Sequence, residues 1–144
     1  MARKLGADEV CDAAREDVWE WIKRLTGGRG VDVAFEAAGV QEAVAHACLA
    51  ARIGGRALLI GIPQEMDLSM PMHECRRREL LIQHVRRSNG ELVSYLRMPP
   101  DRRPNLRPLA THFYPLEKIN EAFDLVHRRA DGVIRAMILP QSEG

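Results

Sequence analysis

The clearest patterning in the chain lies between Val31 and Pro63, which reads VDVAFEAAG, QEAVAHACLAARI and GGRALLIGIP. Two apolar runs of strand length flank a polar-and-apolar segment with the spacing of about three helical turns. That is the pattern of a βαβ unit. The runs themselves (Val31, Val33, Ala34, Phe35; then Ala57, Leu58, Leu59, Ile60) are nearly continuous, which predicts parallel strands covered on both faces. Each run ends in turn-forming residues, Ala38-Gly39 and Gly61-Ile62-Pro63. Ligands of open α/β sheets bind beyond such carboxyl ends, so a site is expected there.

The flanking pattern extends this α/β reading. Ala2 to Gly6 predicts the end of a helix stopped by glycine, and Glu9-Val10-Cys11 a short strand. Arg15 to Leu25 predicts a helix with Val18, Ile22 and Leu25 on one face and Trp19 and Trp21 beside them. Gly27, Gly28 and Gly30 follow that helix and precede a strand, the reverse of the order that aims main-chain N–H groups at a phosphate. Turn chemistry is their expected role. The central helix is expected over Gln41 to Arg52, burying Val44, Ala47, Cys48 and Ala51, with a turn at Gly54-Gly55. Met66 to Met70 predicts a short edge strand, Pro71 to Glu79 a short helix, Leu80 to Val85 a strand and Glu91 to Arg97 a helix. Three prolines between Met98 and Pro104 exclude regular structure there. The chain therefore divides into residues 1–98, a linker at 99–108, and a tail at 109–144. The tail predicts a strand near Ala110 to Phe113, then a helix opened by Pro115. That helix carries Leu116, Ile119, Phe123 and Val126 on one face and stops at Gly132, before a closing strand over Val133 to Leu139.

Composition narrows the classes. At 144 residues and 46% hydrophobic content the chain can bury a core and is not a disordered polymer. A formal net charge of +1 gives no electrostatic reason to expect nucleic acid or an anionic membrane. The runs Arg76-Arg77-Arg78 and Arg102-Arg103 read as a solvated helix face and a loop. Cys11, Cys48 and Cys75 form no CxxC pair, which fits a reducing compartment. No run approaches the roughly 20 apolar residues that span a bilayer. The expectation is a soluble, cytoplasmic protein.

Few residues carry chemistry by themselves. Catalytic zinc needs three convergent ligands. His73 and Cys75, two apart on a predicted helix, point different ways. Asp32 and Glu36 lie about 13 Å apart along one strand at about 3.3 Å per residue, too far to share a proton. Glu36, near the strand's carboxyl end, reads either as lying close to a ligand or as a structural polar contact. His46 is expected on the helix's solvated side, His112 at a strand end and His127 on the surface.

The order LGADEV, LTGGRGVDVAFEAAG, GGRALLIGIP, DLSMPM, LATHFYPLEKINEAFD is collinear over nearly the whole chain. It resembles the coenzyme-binding domain and following tail of the zinc-type medium-chain alcohol and polyol dehydrogenases. The resemblance implies a partial Rossmann-like, doubly wound sheet lacking its first two strands, plus a strand–helix–strand tail that belongs to the catalytic domain. It also implies that the zinc domain and those strands lie before Met1, so that zinc, a family cofactor, has no ligands here. NAD or NADP is the implied coenzyme; the acidic or basic residue that chooses between them sits on a missing strand. By resemblance, the backbone of Ile60, Gly61 and Ile62 meets the nicotinamide carboxamide, His84, Val85 and Arg86 pass the nicotinamide again, and Arg135 in VIRAMIL reaches the pyrophosphate. A strand-end turn at Gly61 and an exposed edge arginine at Arg135 are the competing readings. Where polyol dehydrogenases carry an aromatic residue before the arginine and a tyrosine after it, this chain has Val85 and Arg87, which puts polyol specificity in doubt. The resemblance further implies a homodimer in which Met66 to Met70 pairs antiparallel with its mate. On this reading the isolated chain is an inactive fragment that binds dinucleotide weakly. The rival readings are a non-catalytic α/β dimerisation module and a cofactor-binding regulatory piece.

Overall fold

A computed structural model of the chain describes residues 1–88 and 90–140. The chain falls into two compact units, one of Cys11–Glu91 and one of Met1–Val10 with the chain from Leu92 onward.

The first unit is built on α1 (Val18–Thr26), β1 (Val31–Glu36), α2 (Gln41–Ala50), β2 (Ala51–Leu59), α3 (Met72–Arg77) and β3 (Leu81–His84). Its three strands form one sheet in the order β1-β2-β3, every pair parallel. In register, Glu36 faces Leu59 and Leu59 faces His84, so the three carboxyl ends lie side by side. Asp17 caps α1, its side chain accepting from Glu20 N at 3.0 Å, and Gly27 ends the helix in the left-handed region.

Small side chains let α2 lie close on the sheet. Ala34, Ala47 and Ala50 form one buried cluster with Ile22 and Val31 against it. Cys48, Ala57 and Cys75 form another with Met70, Leu80 and Ile82. Helix α2 buries Val44, Ala47 and Cys48 as its spacing predicts. It stops two residues early, however, because Ala51 already pairs with Val31 in β2. Gly54-Gly55 is not a turn but a bulge within β2: partners jump from Val31–Ala51 to Val33–Arg56. A Cβ on Gly55 would lie 2.8 Å from Arg52 O, so only glycine fits.

Three expectations are corrected. The sheet is covered on one face only: Ala34, Ala57 and Leu59 are buried under α2, while Phe35 and Leu81 are mostly exposed on the other face. Glu9-Val10-Cys11 forms no strand. Met66 to Met70 is irregular, because Ser69 bonds to the side chain of Gln41 rather than to another strand.

The second unit carries a 3₁₀ turn at Ala2–Leu5 capped by left-handed Gly6, then α4 (through Arg97, starting at Glu91), β4 (Ala110–Pro115), α5 (Ile119–Arg128) and β5 (Arg135–Leu139). Strands β4 and β5 pair in parallel through α5, a second βαβ crossover. Pro115 ends β4, and a 3₁₀ turn at Leu116–Lys118 intervenes before α5. Helix α5 stops at left-handed Arg129 rather than at Gly132. The proline-rich stretch contains only short 3₁₀ turns.

Candidate functional site

The carboxyl ends of β1 and β2 are tied together by one residue. Glu36 O accepts from Ile60 N at 2.8 Å and from Gly61 N at 3.1 Å. Its side-chain Oε1 accepts from Ala38 N at 2.7 Å and from Gly39 N at 2.6 Å. Glu36 is 3% exposed and is the buried charged residue of the sheet. A buried carboxylate must be satisfied by hydrogen bonds, and two main-chain N–H groups do so here. Of the two readings of Glu36 from sequence, the structural contact is present; the same residue also borders the cleft described next.

The two strand ends touch through glycines. A Cβ on Gly61 would run into Gly39 N and stand 2.6 Å from Glu36 Oε2, and one on Gly39, at φ +70°, would lie 2.6 Å from Ile62 O. Neither position tolerates a side chain. Beyond this contact the chain leaves Ile60 and Ile62 exposed, Ile62 at 87%. Among the described residues, Ile60 O and Ile62 N take no main-chain partner, since Ile60 N and Gly61 N carry the bonds to β1.

A cleft of about 300 Å³ opens beside them, bordered by Glu36, Leu59, Gly61, Met66, Asp67 and His84. Its far wall is the Met66–Met70 segment. The Gln41 carboxamide holds that wall as a peptide group would: Nε2 donates to Ser69 O at 2.7 Å and Oε1 accepts from Ser69 N at 2.7 Å. Sequence reading missed this clamp, because a side chain imitating a strand leaves no periodic signal.

The remaining predicted site residues separate into two groups. His84 ends β3 and borders the cleft, Val85 N donates to Leu59 O at 2.9 Å, and Arg86 is exposed just beyond. Thus Ile60, Gly61, Ile62, His84, Val85 and Arg86 are gathered at adjacent strand ends. Arg135 belongs to the other unit, where it opens β5 opposite Ala110 and borders an apolar groove of about 620 Å³ between α5 and β5. Leu109, Phe123, Val126 and Met137 line the same groove.

Elsewhere the electrostatics are structural. Asp32 accepts from Arg29 Nη2 at 2.7 Å and Arg52 Nε at 2.6 Å, and these hydrogen bonds hold its carboxyl well below the usual range. Burial, with Cys75 beside it, pushes the Cys48 thiol up to about 12. Asp32 is an exposed strut and Glu36 a buried one, which disposes of them as a catalytic pair. No group of three or more His, Cys, Asp or Glu that could hold a metal occurs among the described residues. Among the described residues no helix is long and apolar enough to cross a membrane.

A parallel sheet with crossover helices is an α/β architecture, whose ligand sites lie beyond the carboxyl ends of the strands. Residues 1–98 match the zinc-binding dehydrogenase family, and the chain belongs to it. An alcohol dehydrogenase of Cupriavidus necator is 31% identical over 97% of this chain and 39% of its own length. A sorbitol dehydrogenase of Ovis aries is 32% identical over 85% of this chain and 35% of its own. Among solved structures, an alcohol dehydrogenase from Thermus sp. ATN1 superposes with a TM-score of 0.85 at 21% identity, covering 97% of this chain and 40% of that one. A Burkholderia ambifaria protein described as an alcohol dehydrogenase zinc-binding domain protein gives 0.82 at 23%, over 97% and 38%. These two likenesses concern the fold alone. The chain spans about two fifths of the length of the curated relatives it matches.

Proposed function

We propose that this chain forms the nicotinamide side of the coenzyme site of an NAD(P)-dependent, zinc-type alcohol or polyol dehydrogenase. The observation that carries the reading is the end of β2, where Gly61 borders the cleft while Ile60 O and Ile62 N have no main-chain partner among the described residues. A primary carboxamide offers N–H donors and a carbonyl acceptor, which would complement that pair. His84, Val85 and Arg86 would border the same ring, and Arg135 would reach a phosphate through charge-assisted bonds. A bound nicotinamide supplies a carbon that takes or gives a hydride. This chain's residues bind and orient that ring and keep water from one of its faces. No group of three or more His, Cys, Asp or Glu that could hold a metal occurs among the described residues, and any zinc ligands would come from further polypeptide.

We also propose that the exposed sheet face at Phe35 and Leu81 and the outer edge of β1 receive that further polypeptide. By itself the chain would be inactive and bind dinucleotide no better than millimolar, since contacts to a charged ligand contribute about 1.5–3 kcal/mol each and several are missing. A second reading, a dimerisation module, draws on the clamped Met66–Met70 segment: its outer edge stays open, and a two-fold mate could pair there. The functional reading is tested by nuclear magnetic resonance of the chain titrated with NADH into the millimolar range. Shifts centred on Gly61, Ile62 and Val85 are expected. An unperturbed Ile62 N–H, or micromolar affinity by calorimetry, would refute the proposal as stated.

A further inference from the structure

We infer that Glu36 is a positioning residue for the coenzyme wall, an inference that rests on the nicotinamide-side reading above. Four main-chain N–H groups converge on this residue: Ile60 and Gly61 on its carbonyl, Ala38 and Gly39 on its carboxylate. The first pair fixes where β2 leaves the sheet. The second fixes the turn from β1 into α2. Because Gly39 and Gly61 are in contact, with no room for a Cβ between them, moving either turn moves the other. The orientation of Ile60 O and Ile62 N is therefore set by whether the Glu36 side chain holds Gly39 in place.

The carboxylate is suited to this by burial and reach. At 3% exposure it meets little competition from water for the two N–H groups. Oε1 takes both bonds, which leaves Oε2 packed at the Gly61 side of the contact and bordering the cleft. Position 36 thus needs an acceptor at the end of a two-methylene side chain; its charge is secondary. Glutamine meets that requirement. Aspartate, one methylene shorter, keeps the charge but draws its acceptor back from the place Glu36 Oε1 holds beside Ala38 N and Gly39 N.

The test uses the 144-residue chain, its Glu36→Gln and Glu36→Asp variants, and NADH as probe. Amide exchange at Ala57 and Leu58, in the middle of β2, reports whether the sheet is intact. The chemical shift of Ile62 N–H on NADH addition reports the wall. Glu36→Gln is expected to keep the wild-type response within about twofold in apparent Kd. Glu36→Asp is expected to keep β2 protection, lose protection at Gly39 and Gly61, and weaken the response at least tenfold. A Glu36→Asp chain that responds like wild type, or a Glu36→Gln chain that fails like Glu36→Asp, overturns the inference while leaving the coenzyme reading standing. Should Glu36→Asp fail to fold, Glu36→Gln decides alone: loss of the Ile62 response with β2 protection retained refutes the acceptor argument. If the wild-type chain gives no response at Ile62, the coenzyme reading itself fails and this inference falls with it.

Discussion

Replacing Arg78 with alanine should remove the strongest single tie between α2, α3 and α1. Its guanidinium Nη1 donates to Leu49 O at 2.5 Å and to Ala51 O at 3.1 Å, at the end of α2 where main-chain carbonyls lack helical partners. The same group lies 5.0 Å from the centre of the Trp19 ring, and Nε stands 3.7 Å from Glu74 Oε2. The side chain is only 21% exposed. A cation there also complements the negative end of the helix dipole.

The magnitude follows from these contacts. Hydrogen bonds to charged groups contribute about 1.5–3 kcal/mol each, and a partly desolvated cation–π contact adds about 1 kcal/mol. The terms share one guanidinium and are not additive, and water can reach part of the vacated space. A loss of about 2–3 kcal/mol is therefore expected for Arg78→Ala. Trp19 and Trp21 both lie on α1, so tryptophan fluorescence in a urea titration reads the unit that contains Arg78. With a urea slope of about 2 kcal/mol per molar, the midpoint should fall by roughly 1–1.5 M. Arg78→Lys, which keeps the charge and loses the second donor arm, should fall about halfway. A midpoint within about 0.2 M of wild type for Arg78→Ala would refute the argument, because it would place Arg78 among exposed surface charges worth little.

Other expectations follow from the same contacts. The Cys48 thiol stays protonated in the fold up to about 12, whereas an unfolded thiol ionises near 8.5; the unfolded state therefore binds fewer protons in between, and stability should fall as pH rises from about 9 to 12. Cys48→Ala should flatten that part of the pH profile in urea titrations. Asp32 has the opposite sign: its lowered pKa means that its contribution is present above about 4 and is lost as pH falls further. Asp32→Asn should therefore lessen the acid sensitivity of the unit, and an unchanged acid profile would contradict the Arg29–Asp32–Arg52 strut. For the proposed dimer edge, solution scattering at increasing concentration should show self-association that Leu68→Pro abolishes; a monomer throughout would exclude pairing through Met66 to Met70.

Much of the fold was legible because it is local. The apolar run at Val31 to Phe35 marks β1, and the spacing of Val44, Ala47 and Cys48 records which side chains of α2 meet the core. The failures share a cause. Glu9-Val10-Cys11 has strand composition, but a strand is completed by its neighbour, and no strand lies beside it among the described residues. The exposed face of Val33 and Phe35 looks, in sequence, the same as a buried one. Apolar content reports that a surface is to be covered and does not say by what. Gly54-Gly55 likewise signals a departure from regular structure, yet a turn and a bulge need the same glycine freedom. Only the register against β1 tells them apart.

The site divides along the same line. Gly61 carried two open readings, a strand-end turn and a close approach to the coenzyme; its contact with Gly39 was not among them, because the partner is another glycine's main chain. Glu36 was visible as one of two carboxylates on β1, but its two possible roles could not be separated without knowing where Ala38 and Gly39 turn. The Gln41–Ser69 clamp joins residues 28 apart in sequence and involves main-chain atoms of serine, so residue identity at position 69 carries almost none of the information. Side chains that bond to side chains can be sought as pairs of types; side chains that bond to backbone can be sought on one partner only. Glu36 and Gln41 both belong to the second kind, and both shape the cleft. The residues that hold these turns in place are therefore the less conspicuous ones in sequence, because half of each bond lies in main-chain atoms.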